Sequence, residues 1–168
     1  AMILSSEIEI EPSENAGQLH DRLMHLGSKT VIETLQAIEA GNVTTIIQEE
    51  SAEIKTAYKL NKENCKIDWT KPASTINNLI RGLSPYPASW CFLKDQSEEL
   101  SIKIYEAKPI FETHDLPIGS LISTKKEIKI AVADGYIQLL SLQLPGKKRM
   151  TVAELLNGIT FSDKAKVY

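Results

Sequence analysis

The sequence predicts an α+β protein built from a strand-plus-helix fragment, a linker, and a small β-barrel with flanking short helices. Three observations carry that reading. Apolar residues recur at helical spacing through the first quarter of the chain, the next stretch has no sustained period, and from residue 88 onward short alternating runs are separated by turn residues. With 168 residues, 42% hydrophobic and 24% charged, the composition is that of a folded globular chain and excludes disordered and collagen-like classes. One core or two small units can be built at this length.

The elements follow in order. Ile8 and Ile10 alternate with Glu7, Glu9 and Glu11, which predicts a strand over residues 3–10. Pro12, Ser13 and Asn15 provide a turn and an N-cap for a helix whose apolar stripe runs Ala16, Leu19, Leu23, Leu26. Gly27 is expected to kink or divide it before the stripe resumes at Val31, Ile32, Leu35 and Ile38, and Gly41-Asn42 ends it. Residues 43–63 read as a linker. Thr70 and Pro72 start a short helix with Ile76, Leu79, Ile80 and Leu83 on one face, and Ser84-Pro85-Tyr86-Pro87 stops it.

Strands are then predicted over 88–94, 100–107, 120–124, 127–133 and 136–144, a succession that suits a sandwich or barrel. Asp134-Gly135 is the expected type I′ hairpin turn. In the last strand the apolar set moves from Ile137 and Leu139 to Leu140, Leu142 and Leu144, which predicts a bulge or bend. After Pro145-Gly146, Thr151 and Glu154 form a capping box that opens a final short helix.

Charge is unevenly placed. Residues 1–42 carry 7 acids and 2 bases, whereas residues 64–168 carry 11 acids and 14 bases, so the C-terminal part is the one suited to a polyanion. The longest uncharged stretches, Gly82–Leu93 and Gly135–Gly146, are 12 residues, short of the roughly 18 needed to cross a bilayer. No membrane span and no secretory signal is read, and two cysteines without CxxC spacing suggest a reducing cytoplasm.

Reactive chemistry is scarce. His20 and His25 are five apart and diverge on a helix, His114 beside Asp115 reads as a polar turn, and Glu49-Glu50 and Glu98-Glu99 read as solvated pairs. No catalytic and no metal-binding residue is assigned. Two basic groups stand out: Lys59, Lys62 and Lys66 at the end of the linker, and Lys147, Lys148 and Arg149 before the last helix. Each is either a solvated face or a phosphate contact. Trp69, Tyr86 and Trp90 are either core and lid or a platform for bases.

Five strings in order bear on that choice: Ser13-Glu-Asn-Ala-Gly-Gln-Leu-His-Asp-Arg-Leu, Lys59-Leu-Asn-Lys-Glu, Ile67-Asp-Trp, Asn78-Leu-Ile-Arg-Gly-Leu-Ser-Pro-Tyr-Pro and Leu142-Gln-Leu-Pro-Gly-Lys-Lys-Arg-Met. Together they resemble the methionyl-tRNA formyltransferase family over nearly the whole chain. One departure is Tyr86, where that family commonly has Trp. The resemblance implies that residues 1–42 end a Rossmann-like formyltransferase domain, residues 43–63 link, and residues 64–168 form an OB-like, tRNA-binding barrel.

It further implies a parent enzyme that moves the formyl group of its co-substrate 10-formyltetrahydrofolate to the amino group of initiator methionyl-tRNA. The family's catalytic residues and Ser-Leu-Leu-Pro loop have no counterpart here, so this chain alone is expected to be inactive and to bind no folate. The expected partners are initiator methionyl-tRNA and an N-terminal catalytic domain. The resemblance favours phosphate contact for Lys59, Lys62 and Lys66; it matches Lys147, Lys148 and Arg149 to a Gly-Lys-Lys motif and leaves two readings for that set, phosphate contact or bracing of the barrel against the catalytic domain by Lys147 or Lys148. Ala1 ahead of Met2 reads as a cloning remnant, with Met2 internal to a longer protein. In that case Leu19, Leu23, Leu26, Ile32, Leu35 and Ile38 face a missing sheet, and copies of the chain are expected to associate through them. The alternatives are the C-terminal part of a sugar-nucleotide formyltransferase and a free-standing OB-type module.

Overall fold

Capping chemistry at Asn15 starts the first helix. The Asn15 side chain accepts the Gln18 amide N–H at 3.0 Å, and the Gln18 side chain accepts the Asn15 N–H at 3.0 Å. The computed structural model describes residues 1–48 and 54–168, so Glu49-Glu50 and part of the expected linker lie outside the described residues. The chain divides into two units, Ala1–Lys59 and Leu60–Tyr168.

In the first unit, α1 (Ala16–Glu39) runs unbroken through Gly27, where a kink was expected. A helix-interior glycine costs only about 1 kcal/mol relative to alanine, too little to interrupt a ladder with a continuous apolar stripe on both sides. Gly41, at φ +67, supplies the left-handed stop. The strand expected over 3–10 does not form; among the described residues only Met2 pairs, with Ile46. An alternating pattern needs a neighbouring strand to become one. Glu14 is buried, and Arg22 Nη1 donates to both its carboxylate oxygens at 2.8 Å, which raises the Arg22 pKa. No residue of α1 is buried, and Leu23, Ile32, Leu35 and Ile38 stand about half exposed.

In the second unit, the Asp68 carboxylate accepts the Thr70 hydroxyl at 2.6 Å and its N–H at 3.0 Å, and these bonds hold the Asp68 pKa below the ordinary carboxylate range. That turn delivers Pro72 to the start of α2 (Ala73–Gly82), which buries Ala73, Ile76 and Ile80. The strands are β1 (Ser89–Asp95), β2 (Glu98–Ile110), β3 (Leu121–Ser123), β4 (Ile128–Val132), β5 (Gly135–Gln143), β6 (Met150–Thr151) and β7 (Lys166–Val167). Thr151 and Glu154 form the expected capping box at α3 (Val152–Leu156), and the Thr151 backbone and hydroxyl bonds lower the Glu154 pKa.

The sheet runs β3-β4-β5-β2-β1-β7, with β6 added to β5, and every ladder is antiparallel. It then closes on itself. Val167 N–H donates to Gly119 O at 2.8 Å and Leu121 N–H to Ala165 O at 3.0 Å, joining β7 to the entry of β3. The result is a small barrel, one of the two architectures that the alternation allows and the OB-like one that the resemblance implies. Its interior holds Cys91, Leu93, Ile102, Ile104, Ile128, Ile130, Ile137, Leu139 and Leu142, with α2 packed over β2 and β5.

The hairpin turn differs from expectation. Val132 pairs with Gly135, so the hairpin loop is Ala133-Asp134, one position before the expected Asp134-Gly135 turn. Gly135 is required for another reason: at φ +146 it lies against the end of β2, and a Cβ there would sit 2.0 Å from Ile110 O. Asp134 instead accepts the Ala73 N–H at 2.7 Å, capping α2 from sixty-one residues away. The expected bend is present, and it falls at Ser141–Leu142, where β2 shifts register with it between Ile104 and Ala107.

Candidate nucleic-acid interface

The segment leading into the barrel is tied to the outer wall of β1. Trp90 N–H donates to Cys65 O at 3.1 Å and Ile67 N–H to Trp90 O at 2.9 Å, while the Trp90 indole Nε1–H donates to Lys62 O at 2.7 Å. Upstream, Asn61 and Asn64 exchange side-chain-to-backbone bonds at 2.8 and 2.9 Å. The backbone carrying Lys62 and Lys66 is therefore fixed, and both ammonium groups sit on aromatic faces. Lys62 Nζ is 5.1 Å from the Trp90 ring centroid. Lys66 Nζ is 5.7, 5.1 and 5.9 Å from Trp90, Phe92 and Tyr168.

A ring positions a cation without neutralising it. Among the described residues, neither Lys62 nor Lys66 has a carboxylate within ion-pair distance. Two unneutralised cations thus share the Trp90 ring as a seat, and an anion approaching it is attracted by both. Lys59 is exposed and ends the first unit.

The other basic group divides. Lys147 and Lys148 are exposed on the loop after Pro145-Gly146, pinned where Gln143 Nε2 donates to Lys147 O at 2.7 Å and Tyr105 OH donates to Gln143 Oε1 at 2.7 Å. Arg149 points elsewhere: it donates to Glu106 Oε1 and to Ser141 Oγ at 2.8 Å, and lies 4.8 Å from the Tyr105 ring centroid. Its charge is matched at the bend in β2 and β5.

Strand register supplies a member that sequence inspection missed. Trp90 pairs with Lys103, and Lys103 with Gln143, so an outward row crosses β1, β2 and β5 from the seat of Lys62 to the loop of Lys147. At about 4.8 Å per strand it spans roughly 10 Å. The alternation over 100–107 marks Lys103 as outward, but only the pairing puts it between the two basic groups.

The aromatics separate as well. Trp69 is core, at 4% exposure, its indole facing the sulfur of Cys91, whose thiol is pushed up to about 12 by burial. Trp90 is half-buried beneath the lysines, and Tyr86 is 85% exposed. His114 is structural: Nε2–H donates to Val132 O and Gly135 O, both at 2.9 Å, and Nδ1 accepts the Leu116 N–H. Among the described residues no group of three His, Cys, Asp or Glu side chains is placed to hold a metal ion.

A family profile described as formyl transferase, C-terminal domain, matches residues 59–160. The chain belongs to that family. The formyl transferase C-terminal domain thus contains the lysines at Trp90, the Lys103 row and the Lys147 loop alike. The chain is also 77% identical over 168 residues to a methionyl-tRNA formyltransferase of Flavobacterium johnsoniae, covering 100% of this chain and 53% of that protein. Identity is 61% to the enzyme of that name from Flavobacterium psychrophilum, with the same coverage, and 44% over 171 residues to the one from Bacteroides thetaiotaomicron, covering 99% of this chain and 53% of that protein. The chain spans about half the length of these relatives. Among solved structures, a substituted HypX from Aquifex aeolicus superposes with a TM-score of 0.56 at 19% identity, covering 80% of this chain and 24% of that one, a likeness of fold.

Proposed function

We propose that this chain is the tRNA-holding part of a methionyl-tRNA formyltransferase. One observation carries the reading: Lys62 and Lys66 are fixed on the Trp90, Phe92 and Tyr168 rings and left without a carboxylate partner among the described residues. Three aromatic rings and a fixed backbone holding unneutralised cations suit a phosphate ligand. The exposed Lys147 and Lys148 add two further cations to the second unit, Arg149, tied to Glu106, sets the loop that presents them, and the exposed Lys59 is proposed as a further phosphate contact from the end of the first unit. A relative that shares the whole chain at 77% identity carries the tRNA in its name.

On this reading residues 1–42 close a formyltransferase domain, 43–63 link it, and 64–168 grip initiator methionyl-tRNA in the cytoplasm. The transfer from 10-formyltetrahydrofolate belongs to the half of the relatives that this chain does not span. It needs a base and polarising donors around a tetrahedral intermediate, and the family residues expected to supply them have no counterpart in this sequence. The purified chain is expected to bind tRNA with an affinity that falls steeply with salt, and to form no formylmethionyl-tRNA. Binding without salt dependence, or none at all, sinks the proposal.

The exposed stripe of α1 is the proposed seat of that other half. Without it, copies of the chain cover one another's Leu23, Ile32, Leu35 and Ile38. Light scattering is expected to report dimers or larger species; a strict monomer with an ordered helix rules this out.

A further inference from the structure

A cleft of about 340 Å³ opens beside the lysine seat, lined by Leu60, Lys62, Tyr86, Pro87, Trp90 and Lys103 among others. That size lies in the range of small-ligand clefts, about 300–1,000 Å³. Its features go beyond what gripping a phosphate backbone needs. Tyr86 projects almost free into solvent, although an aromatic ring of that size is ordinarily packed. It is held out by the rigid Ser84-Pro85-Tyr86-Pro87 segment, so little ordering entropy remains to be lost when a flat ligand lies against it.

The backbone next to it is strained. Ala88, buried at the base of the cleft, has φ +70, a left-handed conformation that costs an alanine about 1–2 kcal/mol. Ala88 N–H donates to Leu83 O at 2.9 Å, closing the turn that positions Tyr86 and Pro87. Strain maintained in the lining of a cleft is a feature of ligand sites. The lining combines the Tyr86 and Trp90 side chains and aliphatic residues with Asn61 and two cations, Lys62 and Lys103, neither with an ion-pair partner among the described residues. A cleft that brings two aromatic side chains and two cations together suits an aromatic heterocycle joined to a phosphate.

We propose that the Tyr86–Trp90 cleft receives an unpaired base of the bound RNA, with Lys62 and Lys103 on its flanking phosphates. This rests on the RNA-binding reading above and adds to it a requirement for a nucleotide outside the duplex. Paired bases are stacked within a helix and have no free face to offer, so the slot distinguishes strand from duplex where the lysines alone do not.

The test compares the 168-residue chain with its Tyr86→Ala variant, which removes an exposed ring and no charge. The probes are a short oligouridylate and a blunt RNA duplex carrying the same number of phosphates. The variant is expected to bind the oligouridylate about tenfold or more weakly, with duplex affinity and both salt slopes unchanged. The oligouridylate should also quench the emission of Trp90 in the unsubstituted chain, Trp69 being shielded in the core. An unaltered oligouridylate affinity in the variant, or an equal loss for both probes, overturns the base slot and leaves the lysine reading standing. Uridine monophosphate displacing the oligouridylate at equal concentration would make the cleft a mononucleotide site and overturn it too. Failure of the unsubstituted chain to bind either probe removes both readings.

Discussion

Replacing Gly119 with alanine is expected to open the barrel. Gly119 sits at φ +85, where alanine is strained, and its Cβ would lie 2.4 Å from Val167 O, a backbone atom that cannot swing aside. Relief requires β7 to move, which removes the Val167 N–H bond to Gly119 O and disturbs the neighbouring Gly119 N–H bond to Ala131 O. Strain of about 1–2 kcal/mol and about 1 kcal/mol for each weakened bond sum to roughly 3 kcal/mol or more. Small domains have about 5–15 kcal/mol in total. Gly146→Ala is the control, since Gly146 has a similar φ of +70 but open space around it, so only the strain applies. Urea midpoints followed by tryptophan emission should place the Gly119 variant well below the control. Equal midpoints would show that the seam does not hold the barrel.

The second large effect is on RNA. Changing Lys62 and Lys66 together to glutamine should cost two charge-assisted phosphate contacts. At about 1.5 kcal/mol or more each this weakens tRNA binding roughly 100-fold at low salt, and it lowers the slope of log affinity against log salt by about two. Arg149→Gln provides the contrast, because its charge is already matched by Glu106: stability should fall while the salt slope holds. A double variant with unchanged slope at all salt concentrations would remove Lys62 and Lys66 from the interface.

Local signals in the sequence were read well where the decision is local. The Asn15 and Thr151 boxes, the stop at Gly41 and the α2 stripe of Ile76 and Ile80 depend on neighbours within a few positions. The five short strands were legible because alternation survives wherever one face is buried. What could not be read depends on partners far along the chain. Residues 3–10 have a strand's pattern and no neighbour to pair with. Asp134 looks like a turn residue and acts as the cap of α2. The candidate interface follows the same division: Lys62, Lys66, Lys147, Lys148 and Arg149 are visible as clusters, whereas the β1–β2 register is needed to place Lys103 beside Trp90, and the bend to place Glu106 against Arg149.

The closure at Gly119 also has a bearing on how the molecule reaches its native state. β1 completes its pairing with β7, Leu93 against Val167, so the ring cannot be finished until widely separated parts of the chain have met. Joining distant ends carries a loop entropy that local elements never face. Helix α1 can form on the microsecond scale from neighbouring residues alone, while assembly of the ring belongs with the slow, non-local topologies that take milliseconds to seconds. During that interval the strand edges at β3 and β7 are unsatisfied together, and they are the edges at which two immature chains would pair with each other.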